Sequence, residues 1–295
     1  MRHISWDRSA LSAPEVRELP LRARTDYLLR RFRLRPRKSL GQNFLVNEGA
    51  AQRLAQTAVA AGLPMVEIGG GLGALTVPLV ESGQPLKVVE IDAALAQVLG
   101  WLTGDLPHVE VILGDFLELA PERLWPEPAV AVGNLPYLSA SAILQRLWEP
   151  RAANALIIAM MQREVADRLR ATTGTKAYGP LSVLARAHLS EIAVLAQLGP
   201  GSFVPAPEVR STALKMLPCP DGPPDMELLD LALRGAFSGR RKTLLNSLKM
   251  SKNWDKETTE EVLRKAGLDG QRRGETLELA ELLALGRAMA RHEKN

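Results

Sequence analysis

Residues 67–76 read EIGGGLGALT, and this stretch decides the fold. It joins a short apolar run, MVEIG (65–69), to a helical pattern. Glycines at 69, 70, 71 and 73 permit a tight turn and let a ligand come close to the backbone. A glycine-rich strand-to-helix turn is a weak signal alone, so its surroundings matter. Strand-like runs recur at KVVEI (87–91), VEVILGD (109–115), AVAVG (129–133), ALIIAMM (155–161), EIAVLAQL (191–198) and STALKML (211–217). Most are short, apolar and rich in Val and Ile, as strands covered on both faces are. Helical patterns lie between them. One runs from Asn47 as N-cap to Gly62 as stop, with Leu54, Ala58 and Val59 on one face; another starts near Ser139 and carries Ile143, Leu144 and Leu147. The alternation predicts an α/β chain with a mainly parallel, doubly wound sheet. Sites in such sheets lie at the carboxyl ends of strands, near the switch point.

The chain has 295 residues, 46% hydrophobic, enough for one large domain and a smaller one. No apolar run approaches the roughly 18 residues of a membrane span, and no signal-peptide core opens the chain. The single cysteine, Cys219, excludes an internal disulfide and a CxxC zinc pair, and His3, His108, His188 and His292 are scattered. No metal is expected, and a reducing cytoplasm is the simplest compartment. The net charge of +4 is uneven: residues 1–38 hold eleven basic and four acidic side chains, +7, leaving −3 elsewhere. The basicity is densest in RRFRLRPRK (30–38), which reads as a solvated or disordered tail or as a polyanion-binding arm. PCPDGPPD (218–225) reads as a linker, and only helical patterns follow it. The expected division is an arm at 1–37, an α/β domain at 38–220 and a helical domain at 221–295.

Two further strand ends give the glycine loop a meaning. Glu90 ends the second strand, 21 residues after Gly69, where a carboxylate can accept hydrogen bonds from both hydroxyls of a ribose. Ile91 follows, suited to packing on an adenine face. Asp115 ends the third strand, where it can accept from an adenine amino group. Either acid alone is an ordinary loop residue. Three successive strand ends suited to an adenosine are not ordinary, but NAD and S-adenosylmethionine both fit them. The fourth strand end must decide.

That end reads VAVGNLPY (130–137). An exocyclic amine of a base is a poor nucleophile, because its lone pair is delocalised into the ring. Two acceptors aimed at its hydrogens favour positive charge and a more tetrahedral nitrogen as a methyl group arrives. The Asn134 side-chain carbonyl can be one. The Leu135 backbone carbonyl can be the other, aimed by the restriction Pro136 places on its predecessor. Tyr137 can stack on the base. No strong general base is needed, since the proton leaves readily once the nitrogen is cationic. A simple Asn-Pro-type turn is the bland alternative, disfavoured by the three strand ends before it.

With KSLGQNFL (38–45), EIGGGLGALT, VEID (89–92), GDFL (114–117) and GNLPY (133–137), the sequence resembles the rRNA adenine N6-dimethyltransferases. QREVADRL (162–169), YGPLSV (178–183), FVPAPEVRS (203–211) and AFSGRRKTLLNSL (236–248) extend the likeness over about 38–285. It is most similar to the bacterial KsgA (RsmA) type, which dimethylates two adjacent adenosines near the 3′ end of 16S rRNA. The resemblance implies a Rossmann-like class I methyltransferase fold with a seven-stranded, mostly parallel sheet and a small all-helical C-terminal domain. It implies S-adenosylmethionine as cofactor, held by Gln42, Asn43, Leu45, Gly69, Gly71, Glu90, Ile91, Asp115, Phe116 and Asn134. Asn43 and Leu45 would close over the cofactor and Gly69 would meet its methionine part. Phe44 would be a lid or a core residue. Asn134, Leu135, Pro136 and Tyr137 would face the target base, with Phe203 flanking its other side. The partner would be 16S rRNA or the immature small subunit, and the protein a cytoplasmic monomer. Arg37 and Lys38 beside the lid, and Arg240, Arg241 and Lys242 at a helix start, are candidates for RNA phosphates, against the bland reading of solvated basic faces. A base must be unpaired or flipped to be reached.

Three departures stand out. Gly70 occupies a position where the family usually has Pro, which would make the loop more flexible. Gly274 stands where Ala or Pro is common, with an expected effect only on a helix start. The arm is longer than the family's. Rival functions are an Erm-type large-subunit enzyme, a non-catalytic RNA-binding factor on the same fold, and a nicotinamide dehydrogenase. NLPY, YGPLSV and RRKTLLNSL oppose the first, intact Gly69, Glu90, Asp115 and Asn134 the second, and the lack of a proton-relay residue the third.

Overall fold

The computed structural model describes residues 11–37, 40–124, 128–148, 154–220, 224–239 and 241–293. Each strand-like run forms a strand. Numbering from a short β1 (Phe44–Leu45), these are β2 (Met65–Ile68), β3 (Leu86–Glu90), β4 (Val109–Leu113), β5 (Ala129–Asn134), β6 (Asn154–Gln162), β7 (Leu189–Leu198) and, after β8 (Phe203–Val204), β9 (Ser211–Pro218). The seven-stranded sheet has the order β4-β3-β2-β5-β6-β9-β7. Strands β4, β3, β2, β5 and β6 are mutually parallel, with Val66 beside Lys87 on one side and Ala131 on the other. Order reverses between β2 and β5, so the switch point lies where the glycine loop and Asn134 leave the sheet. β1 and β8 form a separate antiparallel pair, Leu45 opposite Phe203. At two residues each they carry no periodicity a sequence can reveal.

The helices are α1 (Ala13–Arg17), α2 (Leu21–Arg31), α3 (Glu48–Val59), α4 (Thr76–Val80), α5 (Ala93–Thr103), α6 (Pro121–Leu124), α7 (Ala140–Leu147), α8 (Arg163–Arg170), α9 (Pro180–His188), α10 (Met226–Ala236), α11 (Leu244–Lys252), α12 (Lys256–Ala266) and α13 (Leu279–Glu293). Several starts follow from side chains that accept orphan N–H groups: Asn47 from Ala50, Asp92 from Ala94, and Asp255 from Thr258. None of these helices is long and apolar enough to cross a membrane, among the described residues.

The chain forms two compact units, one of residues up to 163 with 193–215, the other of 164–192 with 216 onward. The helical unit therefore takes in α8 and α9, which the sequence reading had assigned to the α/β domain. The reason is burial: Tyr178, Val183 and Ala187 share one apolar cluster with Leu229, Leu244 and Leu285, and the Tyr178 hydroxyl donates to the Leu277 carbonyl at 2.8 Å. Gly274 is more than a helix start in this unit. A Cβ there would lie 2.5 Å from the Ala236 carbonyl oxygen, so the close approach to α10 requires glycine.

The arm departs most from expectation. Residues 1–10 lie outside the described residues, but 11–37 are neither tail nor solvated run. Val16 and Leu28 are fully buried in a cluster with Phe44, Leu72, Leu95, Val98 and Leu102. The Arg17 guanidinium grips Asp105 at 2.6 and 2.7 Å and donates to the Leu102 carbonyl. α2 begins at Pro20 without a side-chain cap, and Glu48 at the start of α3 accepts from the Leu21 N–H at 2.6 Å instead. Apolar spacing within the arm, hidden under its arginines, drives this docking.

Candidate functional site

The carboxyl ends of β2, β3 and β5 and the segment before β1 line a cavity that opens to solvent. Its wall includes Gln42, Asn43, Phe44, Leu45, Glu67, Gly69, Gly71, Glu90, Ile91 and Asn134 through Tyr137. The glycine loop curls because Gly69, Gly71 and Gly73 adopt φ of +75°, +57° and +76°, which side chains with a Cβ disfavour. Gly70 is different. A Cβ there would sit 2.4 Å from Val88 Cγ1 and 2.9 Å from Leu99 Cδ1. The space that a proline ring would take is filled by these side chains, so the departure at Gly70 reflects tighter packing rather than a looser loop.

Glu90 is buried, with Oε2 accepting from the Gly71 N–H and Oε1 from the Asp92 N–H, both at 2.9 Å. Burial raises its pKa while those backbone donors pull it back. The bonds fix the carboxylate at the cavity edge and leave lone pairs for a ligand. Ile91 beside it is 50% exposed, an apolar side chain held open at the cavity wall. The described lining residues include the buried acids Glu67 and Glu90 and no Lys or Arg, so they offer no positively charged side chain to a pyrophosphate.

Asn134 ends β5, held by pairing with Met160 of β6. Its Nδ2 donates to the Asn43 carbonyl at 3.2 Å. Its Oδ1 is buried with no hydrogen-bond partner. A buried carbonyl oxygen without a donor is costly and marks a place for a donor from outside the chain. Leu135 is buried; Tyr137 is half-buried, its hydroxyl 2.7 Å from Ser211 Oγ. Burial pushes the Tyr137 phenol pKa up, so the ring stays neutral.

Other expected site residues lie elsewhere. Asp115 and Phe116 follow β4 but are not on the cavity wall; Asp115 accepts from the Leu117 N–H, and Phe116 is buried. Phe203 is 2% exposed, opposite Leu45 in the β1–β8 pair, and is also absent from the wall, because that pairing turns it into the core. Arg37 pairs with Asp92 at 3.4 Å, and Gln42 donates to the same carboxylate at 2.9 Å while accepting from the Arg37 N–H. These two residues thus clasp the N-cap of α5. Arg241 and Lys242 are exposed before α11, in the helical unit. Lys38 and Arg240 lie outside the described residues. Phe44 lines the cavity and also joins the arm's cluster.

Sequence reasoning missed two acids. Glu67, in β2, is 1% exposed and accepts from the Thr76 hydroxyl at 2.6 Å; burial pushes its carboxyl up to about 8. An acid inside the wholly apolar run MVEI was the available signal. Asp92, which Arg37 and Gln42 hold, was visible only as the last residue of VEID.

Comparison with known proteins agrees with this geometry. Residues 33–285 match the family model described as ribosomal RNA adenine dimethylase. The chain is 34% identical over 278 residues to ribosomal RNA small subunit methyltransferase A of Alkaliphilus oremlandii, covering 91% of this chain and 96% of that protein. It is 33% identical to the protein of the same name from Bacillus thuringiensis, covering 92% and 97%. Among solved structures, a dimethyladenosine transferase from Plasmodium falciparum matches 85% of this chain and 98% of its own at a TM-score of 0.69 and 22% identity, a likeness of fold. The 23S rRNA methyltransferase ErmE matches 84% and 100% at 0.61 and 26% identity. With the glycine loop, Glu90 and Asn134 meeting at one cavity of a class I methyltransferase fold, this chain belongs to the ribosomal RNA adenine dimethylase family.

Proposed function

We propose that the protein uses S-adenosylmethionine to dimethylate the N6 amines of two adjacent adenosines near the 3′ end of 16S rRNA, during small-subunit assembly in the cytoplasm. The observation that carries this reading is the buried, partnerless Asn134 Oδ1, in a residue that lines one cavity with Glu90 and Tyr137. The cavity residues fit the cofactor: Glu90 for the ribose hydroxyls, Ile91 for the adenine, Gly69 and Gly71 for close backbone approach, and Asn43 with Leu45 on the opposite wall. Asp115, after β4, would accept from the adenine amino group, with Phe116 beside it. When bound, the cofactor supplies an electrophilic methyl group.

The chain's own residues act on the target amine. Asn134 Oδ1 accepts one N6–H and the Leu135 carbonyl the other, drawing the nitrogen lone pair out of the ring. Pro136 limits where that carbonyl points, and the neutral Tyr137 ring stacks on the base. After each transfer the cationic nitrogen gives one proton to water, so no dedicated base is required. The second methylation leaves a single N6–H, which meets one of these two acceptors. Arg241, Lys242, Lys38 and Arg240 would contact phosphates outside the cavity. The protein would act as a monomer.

The test is methyl transfer from labelled S-adenosylmethionine to immature small subunits, to protein-free 23S rRNA, or to neither. Label recovered as dimethyladenosine from 16S rRNA is the expected result. Label only in 23S rRNA would overturn the choice of RNA, and absence of transfer would overturn the enzyme.

A further inference from the structure

From Arg31 to Arg37 exposure alternates residue by residue: Arg31, Arg33, Arg35 and Arg37 are exposed, while Phe32, Leu34 and Pro36 are half-buried. Arg31 ends α2, Phe32 and Arg33 form a turn, and residues 34–37 are without helix or strand. The inward side is anchored. Phe32 and Leu34 pack on the cluster that holds Val16 and Leu28, Phe32 meets Trp101 edge-on at 5.5 Å, and Arg31 lies 4.8 Å over the Trp101 ring. Arg33 takes a left-handed φ of +53°, and the Leu34 N–H donates to the Leu29 carbonyl, which ends the helix and turns the chain. The far end is tied to the cavity: the Arg37 carbonyl accepts from the N–H groups of Leu40 and Gln42, both lining residues.

The acids near this segment are engaged. Asp92 is taken by Arg37 and Gln42, and Asp105 by Arg17. Arg33 and Arg35 form no ion pair with any described residue. A row of arginines with an apolar underside, fixed on folded helices, needs no ordering before it binds a polyanion. Arginine forks match phosphate oxygens.

We propose that Arg31, Arg33 and Arg35 form a docking ridge for the phosphates of the RNA strand that leads the target adenine into the cavity. This rests on the RNA-methylating function proposed above and adds to it the surface that holds the strand. From Arg35 to Gln42 the chain spans seven residues, at most about 25 Å when fully extended. The ridge therefore reaches only nucleotides within a few positions of the target. It is a positional guide, sequence-independent in itself.

The test is binding of a fluorescent transcript of the 16S rRNA 3′-terminal domain across a potassium chloride series, with wild type, R33Q/R35Q and R22Q. Arg22 is exposed in the same arm but off the ridge. R33Q/R35Q should bind several-fold more weakly, with a salt slope shallower by about 0.7 per lost single-strand contact. R22Q should match wild type, and all three should share one melting temperature and one affinity for S-adenosylhomocysteine. An unchanged slope in R33Q/R35Q, or an equal loss in R22Q, would overturn the ridge. Failure of wild type to methylate any RNA would sink the enzymatic reading, while the salt slopes would still judge the ridge.

Discussion

The cavity has two unlike walls. On one side Asn134 ends a strand paired on both flanks and presents a single buried, partnerless oxygen. On the other, Phe44, Leu72 and Leu95 present apolar surface whose backing is Val16 and Leu28 of the arm. The first wall holds one polar atom in place; the second holds a shape. Chemistry concentrated in one atom is lost with that atom and costs the fold little. Shape made by many side chains is lost from behind, by residues that never touch a ligand.

Four experiments break or sharpen that contrast, starting with the largest effect. Asn134→Ala should lower kcat by about 10²–10³-fold, the scale of removing one oriented group that stabilises transition-state charge, while S-adenosylhomocysteine binding stays measurable by calorimetry. Near-normal turnover would mean the polar wall does not carry the reaction. Leu28→Ala should remove about 2–4 kcal/mol of stability in urea unfolding, as a fully buried leucine does. It should also weaken S-adenosylhomocysteine binding, through the cluster it shares with Phe44, Leu72 and Leu95, with a smaller change in kcat at saturation. If only stability moves, the arm does not shape the cavity.

Gly70→Ala tests the floor between the walls. Its Cβ would overlap Val88 and Leu99, so a loss of about 1–3 kcal/mol is expected from the forced shift. A thermal melt at or above wild type would show that the loop has room after all. The last test concerns pH. Burial raises the Glu67 pKa from 4.5 to about 8. A carboxyl with a raised folded-state pKa contributes its stability below its unfolded pKa and loses it as pH rises through the folded one. Wild-type stability should therefore decline between about pH 4.5 and 8, and Glu67→Gln should flatten that decline. Parallel profiles for the two proteins would place the proton elsewhere.

Legibility followed the range of the interactions. The strands β2 to β7 and β9 were readable because each is a local apolar run, and Glu90 and Asn134 because they stand where such runs end. The glycine loop was readable because left-handed turns demand glycine at fixed spacing. By contrast, β1 and β8 depend on a partner about 160 residues away in the chain, and the burial of Phe203 depends on that pairing. The tie of Arg37 and Gln42 to Asp92 joins residues 50 or more apart in sequence. At Gly70 the family comparison pointed to flexibility, while Val88 and Leu99, from β3 and α5, had closed the space.

The arm shows the same limit from the other side. Its charge is a sum over residues, so it reads directly as a basic tail. Its burial is a matter of direction, and only the packed α5 shows that Val16, Leu28, Phe32 and Leu34 face inward while Arg22, Arg33 and Arg35 are exposed. The sequence by itself determined the alternating α/β order, the cavity's glycine loop and the amide that would meet a base, because periodicity and strand ends are local properties. The tertiary structure alone decided that a basic segment backs a wall of the site, that Asn134 keeps an unpaired oxygen, and which acids line the cavity. Those facts depend on which surfaces exclude water from one another, and that is set only when the whole chain has packed.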